Sequence, residues 1–361
     1  MAYDFRELEE LVSINSYTKN KEGVDKNGDL MRQKFEELGY KTTVFERELF
    51  GNHLWFKSSK KEGARMLLLG HLDTVFPPGT FESFQEDEEW IYGPGVCDMK
   101  GGNMVMVEAL RAQEKIYNID IFLVSDEEIG SDDSRPLTFE IAREYEYCLV
   151  FEAAGKNDEI VTARKGIGTF TIDIEGKAAH AGNCYTQGVD ANQEAAHKIL
   201  ALSHLSDLKA GTTVNVGKIE GGIGANTISP YAKLIFEARF RSTKERDRIL
   251  QEIHQIVNTS YIPGSLAKLL GGLQRDVMEE HPGQLEFVKR LQEWCGHPLP
   301  TESRGGGSDA NIAASAGAIT LDGFGPYGDG DHTIHERASK RSYLNRIETV
   351  SRIFKGFMEE L

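Results

Sequence analysis

Nothing in the sequence approaches the ~20 consecutive apolar residues that a membrane-crossing helix requires. The first residues, MAYDFRELEELVSI, also lack a basic segment running into an apolar stretch, so no secretory leader is expected. Cysteine is scarce. Cys97, Cys148, Cys184 and Cys295 are scattered with no CxxC pair, which predicts reduced thiols rather than a disulfide frame. Positive charge is in the minority, with 41 Lys and Arg against 57 Asp and Glu and a net charge of −16. Such a surface repels phosphate backbones and anionic bilayers, so neither nucleic acid nor membrane is an expected partner. Low-complexity and disorder-prone segments are missing as well. Together these absences predict a cytoplasmic protein.

What is present is a chain of 361 residues, long enough for about two domains on a ~150-residue prior. Its first half alternates helix and strand. Residues 29–38 carry an amphipathic helical pattern with Gly39 as C-cap, and residues 41–45 read as a strand. Short continuous apolar runs at 66–69, 121–124 and 148–151 suit strands buried on both faces of a parallel sheet. Residues 102–113 form the crossover helix between the first two runs. Near Lys165 the texture changes: GTFTIDIEG and YAKLIFEARF alternate apolar and polar residues, and residues 191–205 and 243–257 are helical. After about Arg275 the first texture returns, with an apolar run at 316–321 and a C-terminal helix. The expectation is an α/β catalytic domain with a mixed, largely parallel sheet, formed by residues 1–164 and 277–361. A smaller α+β unit with an antiparallel sheet, residues 165–276, is inserted in it.

Ligands of open α/β sheets bind beyond the carboxyl ends of the strands. The run at 66–69 leads into His71 and Asp73, the run at 121–124 into Glu127 and Glu128, and the run at 148–151 into Glu152. The run at 316–321 leads into a glycine-rich loop that reaches His332, and GPGVCDMKGG sets Asp98 just before a helix. Imidazoles with hard oxygen donors suit zinc, with cobalt or manganese as substitutes. Five such ligands exceed one tetrahedral site and suit two ions if one carboxylate bridges them. His71 and Asp73 lie at i and i+2, so one can ligate while the other holds the imidazole. Of the neighbours Glu127 and Glu128, one can bind metal while the other acts as a general base toward a water.

GHLDTV, YGPGVCDMKGG, SDEEIGS and GPYGDGDHTIHE, in this order, resemble metallopeptidase family twenty, whose members are dizinc exopeptidases and deacylases. Within the family the resemblance is strongest to glutamate carboxypeptidases of the carboxypeptidase G type, and it extends through KGIGTFTIDIEGKAAHAG and RGGGSDANIAA. It implies a zinc-exopeptidase-like fold with an inserted lid that mediates homodimerisation. It implies two zinc ions per chain, bridged by Asp98, with His71 and Glu152 completing one site and Glu128 and His332 the other. Asp73 would orient His71, and Glu127 would be the general base that passes a proton to the leaving amine. On the lid, His180 would bind the carbonyl oxygen from a second subunit, with Asn226, Arg239 and Arg275 near the substrate, and Gly307, in the later loop GGGSDAN, would bring its backbone close to the substrate. The implied substrate is a small peptide or N-acyl amino acid, cleaved to release a C-terminal, glutamate-type residue.

Other readings compete at several positions. The family's spacing, a histidine with a glutamate four residues on, implies His332 with Glu336 rather than His335. Arg239 lies on the strand face opposite the apolar residues, as a solvated arginine would, and His180 as a surface histidine is an ordinary alternative. Cys97 beside Asp98 lacks a thiol constellation and reads as packing. NCYTQG after AHAG and Ala-Ala after Glu152 depart from the family pattern. The same metal centre would serve an N-acyl amino acid deacylase or a di- or tripeptidase. A non-catalytic binding protein on this scaffold would lack the base or a ligand.

Overall fold

A computed structural model describes residues 3–361 and divides them into two compact units. One comprises the chain up to Ala163 together with Glu280–Arg304 and Ser308–Leu361, and the other Arg164–Glu279 with Gly305–Gly307.

The larger unit is built on a six-stranded sheet. Its order is Lys41–Phe45, His53–Lys57, Ile119–Val124, Met66–His71, Tyr147–Val150, Ile319–Leu321. The last four strands run parallel and the first two pair antiparallel. The sheet is therefore mixed and largely parallel. Met66–His71 and Ile119–Val124 are buried along their whole length, which is why they read as unbroken apolar runs. Leu68, Leu149 and Ile121 join the helices Lys100–Arg111, Pro282–Cys295 and Lys340–Glu359 in one hydrophobic core. The start of Lys100–Arg111 presses against the end of the strand Tyr147–Val150. A Cβ on Gly102 would lie 2.0 Å from the carbonyl oxygen of Phe151, so only glycine permits this approach.

One expected boundary is corrected. The helix anticipated at 29–38 spans Lys21–Glu37 and opens on Asn20, whose side chain accepts the Gly23 amide. Gly23 and Gly28 lie within this helix, where glycine is a poor helix former. Both instead serve close packing: a Cβ on Gly23 would lie 1.8 Å from the Asn15 carbonyl oxygen, and one on Gly28 3.2 Å from Leu54 and Leu72.

The smaller unit is a four-stranded antiparallel sheet in the order Thr213–Gly221, Tyr231–Phe240, Gly166–Glu175, Leu266–Arg275. The alternation in Tyr231–Phe240 buries Ala232, Leu234, Phe236, Ala238 and Phe240. Across the register Phe236 meets Phe170, with the rings stacked at 5.2 Å. The helices Ala191–Ser203 and Thr243–Asn258 bury Ala195, Leu202, Ile249 and Ile253 against this face.

Candidate active site

In the larger unit the parallel strands end together, and their carboxyl ends deliver a cluster of imidazoles and carboxylates. His71 closes the strand Met66–His71. Its amide donates to the Met99 sulfur, and its carbonyl accepts from Asn103 Nδ2 at 2.7 Å. Its Nδ1 lies 3.0 Å from the main-chain oxygen of Asp73 and 3.4 Å from that residue's carboxylate. The Nδ1 proton is therefore directed at Asp73, and Nε2 faces the cluster as the nitrogen that would ligate a metal once deprotonated.

Asp98 sits at the centre. Its Oδ1 is 3.0 Å from His71 Nε2 and its Oδ2 is 3.2 Å from His332 Nε2. Each carboxylate oxygen thus faces a different histidine. His71 Nε2 also lies 3.8 Å from Glu152, and His332 Nε2 lies 3.2 Å from Glu128. Donor atoms of His71, Glu127 and Glu152 fall within 4.8 Å of one another, as do those of His71, Asp98 and Glu128. His332 takes a left-handed backbone, φ 60°, uncommon for a residue with a side chain. His335 instead lines a separate cavity with Tyr92 and Arg337.

Charge explains how these groups titrate. Burial lifts the carboxyl of Glu128 to about 8, reinforced by the charge of Asp98. Burial and Asp98 likewise push Glu152 well above the carboxylate range. Asp98 is buried too, yet hydrogen bonds from His332 and His71 hold it well below that range. His332 is raised to about 11 by its hydrogen bonds to Asp98 and Glu128. For His71, burial opposes the imidazolium, but Asp73, Asp98 and Glu152 outweigh it and raise the pKa well above the usual value. Five carboxylates thus converge on two imidazoles, a surplus of negative charge that divalent cations would neutralise. The donors are imidazole nitrogens and carboxylate oxygens, which fit zinc, cobalt or manganese.

Asp73 does more than face His71. Its carboxylate accepts the hydroxyl of Thr18 at 2.7 Å and the backbone amides of Glu127 and Glu128, each at 3.3 Å. One buried aspartate thereby ties the end of one strand to the turn that carries two further site residues. Thr18 was not anticipated. Glu336, noted in the sequence only for its spacing from His332, has a larger part. It is 1% exposed; Oε1 accepts the amides of Cys97 and Asp98 at 3.0 and 3.1 Å, and Oε2 accepts that of Gly95 at 3.0 Å. It clamps the loop that presents Asp98. Burial, then the charge of Asp98, raises its pKa to about 8, against the pull of those amides.

The remaining candidates lie in the smaller unit. His180 Nδ1 accepts the amides of Gly182 and Asn183, both at 3.1 Å, so the ring proton resides on Nε2 of this exposed residue. The same loop bridges to Thr227, and Ala181 donates its amide to the Asn226 carbonyl at 2.9 Å, so His180 and Asn226 are neighbours. Arg239 is engaged by Glu237 through Nε and Nη2, and its Nη1 donates to the carbonyl of Gly305 at 2.8 Å. Gly307 belongs to that same short segment. Arg275 is buried at the end of an edge strand, in register with Ile167.

Comparison with known proteins places this geometry. Residues 162–265 match the Peptidase dimerisation domain of the M20 peptidases. The chain is 28% identical to carboxypeptidase G2 of Pseudomonas sp. over 340 residues, covering 90% of this chain and 82% of that protein. It is 24% identical to succinyl-diaminopimelate desuccinylase of Alkalilimnicola ehrlichii, covering 92% of each. Its fold superposes on the crystal structure of aminopeptidase PepT from Bacillus cereus with a TM-score of 0.80, at 24% identity and covering 98% of this chain and 97% of that one. No described helix is long and apolar enough to cross a membrane. The match to the dimerisation domain and the relatives aligned along most of the chain mark it as a metal-dependent peptidase or amidohydrolase similar to the M20 peptidases.

Proposed function

We propose that the cluster holds two zinc ions and that the protein is a carboxypeptidase releasing a C-terminal, glutamate-type amino acid. The observation that carries the two-ion reading is Asp98, with one oxygen toward His71 and the other toward His332. His71 and Glu152 would complete one site, and Glu128 and His332 the other. Bound ions supply Lewis acidity toward a carbonyl and lower the pKa of a nearby water.

The chain's own residues do the rest. Asp73 fixes the tautomer of His71 and the position of the Glu127–Glu128 turn. Glu127 takes the proton of the attacking water and passes it to the leaving amine, so the amide bond breaks as the new carboxyl forms. His180, with its proton on Nε2, is the donor to the oxyanion, supplied by a second copy of the chain in a homodimer formed through the inserted unit. The substrate carboxylate goes to a planar guanidinium. Arg275 and Arg239 are the candidates, and a carboxylate reaching Arg239 must displace Glu237.

Replacing Glu127 with Ala should leave metal content unchanged and lower kcat by ~10²–10⁴-fold. Equal turnover in the variant and the parent would remove this base from the mechanism.

A second substrate class, N-acyl amino acids, is supported by the similarity to the desuccinylase along nearly the whole chain. Hydrolysis of a peptide ending in glutamate, an N-acyl-alanine, succinyl-diaminopimelate and a neutral dipeptide separates the two. Preference for the glutamate compound supports the carboxypeptidase. Turnover confined to another compound keeps the metal chemistry and discards the substrate.

A further inference from the structure

Away from the carboxylate cluster, the C-terminal helix Lys340–Glu359 carries an arginine that is almost wholly buried. Arg346 is 2% exposed. Its hydrogen bonds run from Nη2 to the carbonyl oxygens of Asp158, at 2.7 Å, and Glu159, at 3.2 Å. Nε is buried with no hydrogen-bond partner. Among the described residues no carboxylate pairs with this guanidinium. The Asp158 side chain is turned instead to the hydroxyl of Ser342 and, at 3.4 Å, the amide of Asn345. Burial lowers the pKa of Arg346 to about 10, while Asp158 and Glu159 oppose the shift, so the group stays cationic at neutral pH. A buried cation without an anion is costly and rare unless something else supplies the counter-charge.

Arg346 lines a cavity of about 330 Å³, within the larger unit and walled also by Asn157, Asp158, Asn345, Glu348 and Leu299. At ~30 Å³ per water, that is room for about ten water-sized groups, the size of an amino acid. Nη2 is taken up by the two carbonyls and Nε is buried, which leaves Nη1 of the guanidinium to meet a carboxylate oxygen. Asp158 and Glu348 put negative charge on the same wall, which disfavours a dianion and offers a place for an ammonium group. A zwitterion satisfies both halves of the wall.

We propose that this cavity binds a free α-amino acid, with its carboxylate on Arg346 and its ammonium facing Asp158 and Glu348. If the function proposed above holds, the ligand belongs to the class of the reaction's own product, and the cavity is a second place where that product binds. The site itself rests on the cavity alone.

Calorimetric titration of the metal-loaded enzyme tests it, using glutamate, alanine and leucine, with methylamine and inorganic phosphate as controls. Two variants are compared with the parent. Arg346→Lys keeps the charge and loses the Nη1 donor that the guanidinium presents. Asn345→Trp, at an exposed helix position, fills the mouth without touching the buried arginine. The expected result is amino-acid binding weakened at least about tenfold in both variants, with hydrolysis and thermal unfolding of Asn345→Trp unchanged. Amino-acid binding at the carboxylate cluster would be untouched by Asn345→Trp, so an isotherm identical to the parent's would overturn the proposal. Phosphate binding as tightly as the amino acids would overturn it too, and so would a parent that binds none of them. Because the readout is binding, the outcome is independent of which substrate is hydrolysed.

Discussion

At the scale of single residues, the site depends on carboxylates with different tasks in nearly the same place. Asp98 faces two histidines, Asp73 grips backbone amides, and Glu336 clamps a loop. Glu336→Gln should keep the fold, because the amide side chain fills the same space. It should nevertheless lower metal affinity or activity by ~10–100-fold, because one of its two groups can no longer accept from the loop amides. Metal titration beside circular dichroism checks this; full affinity in the folded variant contradicts it. Thr18→Val tests the support of Asp73 in the same way and should reduce kcat more than it changes KM.

The members of the carboxylate cluster were legible in the sequence because each follows an apolar run or a glycine loop with its own pattern. Thr18 and Glu336 were not. Thr18 meets Asp73 from 55 residues away, and the partners of Glu336 are amides about 240 residues distant, which no local spacing encodes. The engagement of Arg239 by Glu237 was within reach: residues two apart on a strand share a face.

At the scale of elements, the strands buried on both faces and the alternating strand Tyr231–Phe240 stand out in the sequence. Thr213–Gly221 and Leu266–Arg275 do not. Both are edges of the four-stranded sheet, largely exposed and interrupted by glycine, so the alternation that marks a half-buried strand is missing. One device in this unit is fully buried. Lys198 pairs with Glu194 at 3.0 Å, and its ammonium also donates to the carbonyls of Ile256, Val257 and Thr259, closing the end of the helix Thr243–Asn258. Lys198→Met leaves Glu194 buried and unpaired and should cost about 3–5 kcal/mol in chemical denaturation, where the charge-neutral double variant with Glu194→Gln costs less. At the other end of that helix, Arg248 and then Thr212 hold Glu245 down to about 2 from the usual 4.5. A depressed carboxyl contributes stability above its unfolded pKa and loses it as pH falls. The Glu245 contribution should therefore fade between about pH 4.5 and pH 2, and Glu245→Gln should flatten acid unfolding in that window.

At the scale of the molecule, the insertion of a dimerisation domain into a metal-hydrolase sheet accounts for the change of texture near residue 165. Light scattering should give twice the chain mass if the proposed homodimer forms. The exposed apolar residues Ile219 and Leu266 lie on opposite edges of the inserted sheet and offer two surfaces for that contact. A lysine at one of these positions should yield monomers if that edge forms the contact.

The central claim is that two ions share Asp98, and metal content per chain, measured together with activity before and after chelation, tests it most directly. The account predicts about two zinc ions per chain, loss of hydrolysis on chelation, recovery on adding zinc, and both sites impaired in Asp98→Ala. Full activity in a chelated, metal-free sample, or an Asp98→Ala variant that keeps both ions, would contradict it.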